Sequence, residues 1–257
     1  MRSVAVTLLF ILLFCSSSFA AGESAAALYN QGNKLYAASQ YDEALRHYEG
    51  AYTAGARDPR LFANMGNAAY KGGKIGIAVW SFKSGLALAP RDEDLEFNYG
   101  FAIAHTMDET PPSMDLLVTK IWKGLAGYFT ASEFAGVFLA VLFLLCIAAL
   151  VIIHSDPGTR IRTVAVWACV ALGLMILVWS FPTAVKLYEY FYTTSGVLLD
   201  HEIQVRSTPD DIGPVVFTIH EGIEFEITEK RGNYAHIRIP TGYAGWIPTS
   251  SYRIISP

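Results

Sequence analysis

The chain has 257 residues, of which 53% are hydrophobic and only 16% charged, with a net charge of −4. So apolar a composition, with a positive mean hydropathy, excludes an ordinary soluble domain and predicts membrane segments. The weak negative balance leaves no basic footprint for nucleic acid, and the six histidines are scattered, none at metal-ligand spacing.

The opening MRSVAVTLLFILLFCSSSFA has one arginine, an apolar run, and then small residues ending Ser18-Phe19-Ala20. It reads as a secretory signal peptide, residues 1–20, cut after Ala20. The alternatives are an uncleaved anchor and a lipoprotein signal on Cys15; for the latter, bulky Phe14 stands where a small residue is expected. Only Cys146 and Cys169 follow, both inside apolar runs, so no disulfide frames the polar parts.

Residues 21–108 read as helices. NQGNKLYAASQYDEAL (30–45) returns as NMGNAAYKGGKIGIAV (64–79), an offset of 34, and fixed-period similarity marks a repeat architecture. In the first copy Leu28, Gly32 and Leu35 share one helix face, and Tyr41, Ala44, Tyr48 and Ala51 form the stripe of a second helix. Phe62, Gly66 and Ala69, then Ile75, Ala78, Phe82 and Gly85, repeat the pattern. The small residues let paired helices approach, and the aromatic ones fill the gap between pairs. Pro90 ends the second copy, because proline cannot continue a helix. Asn98 and Gly100 open a third copy, with Asp92 as its cap and Glu93, Asp94 and Glu96 suited to the positive end of a helix. It stops after one helix, which is expected to cover the last apolar face.

This pattern resembles the tetratricopeptide repeat family, with two repeats and a capping helix over 21–108. The corresponding face in that family lines a concave groove that binds peptides or partner proteins. The resemblance therefore implies a partner-binding surface of Tyr29, Asn33, Tyr36, Asn64, Asn67, Tyr70 and Lys71. Asn33 and Asn64 match two members of the carboxylate clamp of chaperone-binding relatives. Tyr29, Asp94 and Asn98 stand where its basic members would be, so a chain-terminal carboxylate is not the expected ligand. The other reading of the asparagines is that they bond to neighbouring backbone within the array.

Residues 109–132 form a linker that contains MDLLVTKIWKGLAGYF (114–129). Its apolar residues recur at three- and four-residue steps, as in an amphipathic helix lying in a membrane interface or packed on the repeats. Two uncharged runs follow, Phe134–Ile153 and Val164 to about Phe181, the second marginal in length, and they give expected transmembrane helices at 133–153 and 163–183. The intervening loop, 154–162, has Asp-Pro-Gly turn chemistry and two arginines that favour a cytoplasmic side, but Lys120, Lys123 and Lys186 flank the other ends. The signal peptide breaks the tie, and the loop is expected to be cytoplasmic. With the signal peptide exporting the first region, this hairpin places both polar parts on the outer side. Neither Phe134–Ile153 nor Val164–Phe181 contains an Asp, Glu, Lys, Arg or His, which argues against an ion pathway. Cys146 and Cys169 could face one another across the hairpin or serve as small packing residues.

After a second linker, 184–199, the pattern changes to period two. Ile223, Phe225 and Ile227 alternate with Glu224, Glu226 and Thr228, as in half-buried strands. Turns at Arg231-Gly232-Asn233 and Thr241-Gly242 separate five short strands, which imply a small barrel over 200–257. The order VRSTPDD, HEG, EKRGNYAHIRI and Gly245-Trp246-Ile247 resembles bacterial SH3-like domains. Such domains in exported proteins often bind cell-wall peptide or another protein. This copy is acidic, and Trp246 reads either as core or as a ligand platform.

The expected fold is thus a multidomain membrane protein: an all-α tetratricopeptide repeat array, a two-helix transmembrane hairpin and a small all-β SH3-like barrel. In that order the parts resemble the BatE family of the Bacteroides aerotolerance (Bat) operon. The resemblance implies a multi-pass protein of the bacterial inner membrane with both domains facing the periplasm. It also implies protein partners, among them membrane proteins with von Willebrand factor A domains, and a role in stress or oxygen tolerance. Peptidoglycan binding through the SH3-like domain is the alternative. No Gly-x-Ser-x-Gly elbow, phosphate loop or His-Glu-x-x-His helix occurs, so a non-enzymatic scaffold without cofactor or metal is expected.

Overall fold

The structure is a computed structural model that describes residues 25–108 and 127–255. The expected signal peptide and most of the expected interfacial helix at 114–129 lie outside these residues. The chain divides into two compact units. One takes residues up to 112 together with those from 195 onward, and the other takes 113–194.

The first unit begins with five helices: α1 (residues 25–37), α2 (Tyr41–Thr53), α3 (Pro59–Lys71), α4 (Ile75–Leu88) and α5 (Glu93–Ile103). Local chemistry sets several ends. Asp58 accepts a hydrogen bond from the Arg60 amide and Pro59 takes the first helical position of α3, where a missing N–H costs nothing. Asp92 caps α5 by accepting from the Leu95 amide at 3.0 Å.

Helices α1/α2 and α3/α4 make the same contact at the 34-residue offset. A Cβ on Gly32 would lie 2.6 Å from the Tyr48 ring, and one on Gly66 2.5 Å from the Phe82 ring. Only a bare backbone lets these rings lie against it. The turns repeat as well: Gly73 has φ 74°, and Ser39, at the equivalent place in the first copy, has φ 60°. Tyr48, Phe62, Met65, Trp80, Phe82 and Leu95 form the buried centre.

The same unit continues with seven strands: β1 (Thr194–Leu198), β2 (Glu202–Arg206), β3 (Val215–His220), β4 (Glu224–Arg231), β5 (Tyr234–Arg238), β6 (Ala244–Pro248) and β7 (Tyr252–Ile254). They form one antiparallel sheet in the order β3-β2-β6-β5-β4-β1-β7. Val205, Ile219, Phe225, Ile237, Ile247 and Tyr252 supply its core. Gly232 and Gly242, at φ 56° and 92°, make the two tight turns read from the sequence. β1 lies within the interval 184–199 expected to be a linker; its short TSGVL run has too little alternation to stand out.

The sheet docks on the helices. Val197 of β1 belongs to the helical core, and Leu199 and Ile255 pack against it. The Trp80 indole donates to the Ile254 carbonyl at 2.8 Å, with the Arg253 guanidinium 4.5 Å above its ring. Arg253 also donates to Glu49 at 3.1 Å. The Glu221 carboxylate accepts from the Gly76 amide at 3.0 Å, Lys83 pairs with Glu224 at 3.0 Å, and the Tyr99 hydroxyl donates to Glu224. Asp108 accepts from the His220 amide at 2.7 Å. Burial and the adjoining Glu224 charge push the Tyr99 phenol far up, so it remains a donor.

The second unit is a pair of long helices, α6 (Ala131–His154) and α7 (Arg160–Tyr192). Both are long and apolar enough to cross a membrane, and few of their residues are buried within the protein, unlike the core helices of a soluble domain. A reciprocal Thr130–Glu133 capping box starts α6. The pair is pinned near one end by Trp179, which donates to the Phe134 carbonyl at 3.2 Å, and near the loop by Arg162, which donates to the Ser155 carbonyl at 3.2 Å. α7 continues through Pro182 to Tyr192, past the end read from the sequence. Cys146 is exposed, Cys169 is half-buried, and both are free thiols.

Candidate functional site

Of the residues expected to bind a partner, three meet directly. Asn64 on α3 donates to the Tyr29 hydroxyl at 2.9 Å and to the Asn33 carbonyl oxygen at 3.0 Å. Tyr48 of α2 donates to the same Asn33 oxygen at 2.8 Å, and the Tyr29 and Tyr48 rings lie 5.8 Å apart. These bonds run from side chain to side chain across α1, α2 and α3, and so differ from the backbone bonding considered for the asparagines. Burial, with the neighbouring Tyr29 and Tyr36 phenols, pushes the Tyr48 phenol up to about 12.

Tyr36 sits at the far end of α1, edge-on to Tyr41 at 5.3 Å, and burial raises its phenol as well. Asn67 is half-buried on α3, and Lys71 at the end of that helix is exposed. Tyr70 turns toward α5, with its ring 5.2 Å from Phe101 and 5.5 Å from His105. The expected residues therefore fall into a bonded amide cluster at one end of the face and an aromatic contact at the other.

Reasoning from the sequence missed the α5 part of this face. Phe97 stands 34 residues after Ala63 and Phe101 34 after Asn67. The period that exposed the repeat was thus enough to find them. They are 73% and 47% exposed. Below them α5 buries Leu95 and Ala102. The last helix covers the array's apolar end, as expected, but presents two phenyl rings of its own.

On the sheet, Trp246 is only 7% exposed, flanked by His236 at 5.1 Å and by the Arg231 guanidinium at 5.3 Å. It belongs to the interior and is not an open platform. Among the described residues no group of three or more His, Cys, Asp or Glu side chains could hold a metal ion. Comparison with protein-family models and with curated proteins gives no match.

Proposed function

We propose that this chain is a membrane-anchored scaffold whose helical array, of the tetratricopeptide type, holds a partner protein on the face built by α1, α3 and α5. The observation that carries this reading is the unequal use of the array's surfaces. The sheet occupies α4 through Gly76, Trp80 and Lys83, whereas Tyr70, Phe97 and Phe101 form a ring cluster in which Phe97 and Phe101 are exposed. The amide network stiffens this face, so a partner would meet a preorganised surface and less ordering entropy would be lost on binding.

The contact of array with sheet supports a topology in which both lie on one side of the bilayer and the two apolar helices between them cross it as a hairpin. In this reading that side is the periplasm of a bacterial envelope, which the export signal read in the sequence supports. The BatE resemblance makes von Willebrand factor A membrane proteins the partners to look for. An impermeant thiol reagent checks the orientation on cysteines placed at Lys34 and Asp156 in a Cys146→Ser, Cys169→Ser background. Labelling of Asp156→Cys but not Lys34→Cys in intact spheroplasts would overturn it.

The function itself is tested by in-cell crosslinking of the full chain, then solubilisation and mass spectrometry, comparing wild type with an Asn67→Ala, Tyr70→Ala, Phe101→Ala protein. Partner proteins recovered by wild type and lost in the variant support the scaffold. Recovery of muropeptides alone, equal in both, would move the function to the sheet and make this a wall-binding anchor.

A further inference from the structure

The open face of α5 has an acidic start and an aromatic middle. Asp94, Phe97, Phe101 and His105 follow one another at steps of three and four, and so form one stripe. They take the positions of Arg60, Ala63, Asn67 and Lys71 at the 34-residue offset. The two phenyl rings are stacked with centroids 6.4 Å apart, and His105 lies 4.7 Å from Phe101. Singly exposed apolar residues need no explanation, but a contiguous cluster of rings marks an interaction surface.

Each end of the cluster carries its own charge. Glu93, Asp94 and Glu96 are exposed at the start of α5. Lys71 is exposed at the end of α3, where Tyr70 leans on Phe101 and His105. Arg60, at the position equivalent to Asp94 in the preceding copy, is held by Asp58 through two side-chain bonds of 3.1 and 2.9 Å. From Asp94 to the end of α5 at Ile103 the axis runs about 14 Å, or two and a half turns, and His105 stands in the turn just beyond.

We propose that this stripe docks an amphipathic helix of a partner protein, basic at one end of its apolar face and acidic at the other, about two to three turns apart. This rests on the reading of the α1/α3/α5 face as a partner surface. Apolar side chains of the partner cover Phe97 and Phe101, and its end charges meet Asp94 and Lys71. The pairing fixes the direction in which the helix lies, which is the main contribution of charges at an interface rim.

The experiment uses the full-length protein in detergent micelles and three synthetic helical peptides with the same leucine stripe. One carries lysines at one end and glutamates at the other, one has lysines at both ends, and one has glutamates at both. Fluorescence anisotropy should show wild type preferring the mixed peptide by about fivefold over either uniform one. Asp94→Lys should shift the preference to the all-glutamate peptide, and Lys71→Glu to the all-lysine peptide. Both positions are exposed, so neither change threatens folding. Phe97→Ala with Phe101→Ala should abolish all three interactions. Equal binding of the three peptides, or preferences unmoved by the charge reversals, would overturn the proposal. In-cell partner capture that is lost with the phenyl variant yet unchanged by both reversals would retain the scaffold and remove the polarity. If no peptide binds and the phenyl variant changes the oligomeric state, a second copy covers the face and the proposal falls.

Discussion

Two residues show how the repeat tolerates substitution. Ser39 holds φ 60° where the second copy has Gly73 at φ 74°, and a left-handed backbone costs a residue with a Cβ about 1 kcal/mol or more. Ser39→Gly should therefore raise the thermal midpoint by about 2–4 °C, read by differential scanning calorimetry. Tyr48 is the second. Its neutral phenol is favoured in the folded state, with the pKa raised from 10.0 to about 12. The stability this contributes is complete below pH 10 and is lost as pH rises through about 12. Tyr48→Phe should remove that step from the alkaline unfolding curve. At neutral pH it should cost about 1 kcal/mol, because Asn33 loses a donor.

At the scale of elements, the close approach of α3 and α4 depends on Gly66. Gly66→Ala drives a methyl into the Phe82 ring, 2.5 Å away, and should destabilise the array by about 1–3 kcal/mol in urea unfolding. Adding Phe82→Leu should recover part of that loss. These pairings were legible in the sequence because a helix pair is a local object whose contacts recur within 34 residues. Phe97 and Phe101 were legible too, but treating the third copy only as a cap directed attention to its buried side. α4 carried a quieter sign. Its sequence IGIAVWSFKSGLAL is apolar nearly all round, and such a helix must be covered on every side. One repeat neighbour on each flank could not do that.

What covers α4 was not legible, because the contacts between array and sheet join residues far apart in sequence. Trp80 and Ile254 are 174 positions apart, and Glu49 and Arg253 are 204 apart. No period or local propensity reports such pairings. Trp80 is the anchor, fully buried and bonded to the sheet backbone. Trp80→Ala should cost about 3–5 kcal/mol. It should also split a single unfolding transition into two, one for helices and one for strands, in calorimetry of the solubilised protein. Trp80→Phe, which keeps most of the buried ring, should leave the transition single. If the alanine variant still melts in one step, the contact does not couple the two parts. Deleting 200–257 is for the same reason a poor probe of the sheet's role, since it uncovers the face of α4 around Trp80.

The distance between Trp80 and its cover also sets a schedule. At roughly 5–20 residues per second of synthesis, the 174 positions separating Trp80 from Ile254 correspond to a wait of about 9–35 s. Throughout that interval the indole face of α4 lacks its cover, and both long apolar helices must be synthesised before the strands that close it arrive. The newborn array is therefore a client for whatever holdase attends it, and slow translation of the last strands would lengthen its exposure to aggregation and proteolysis.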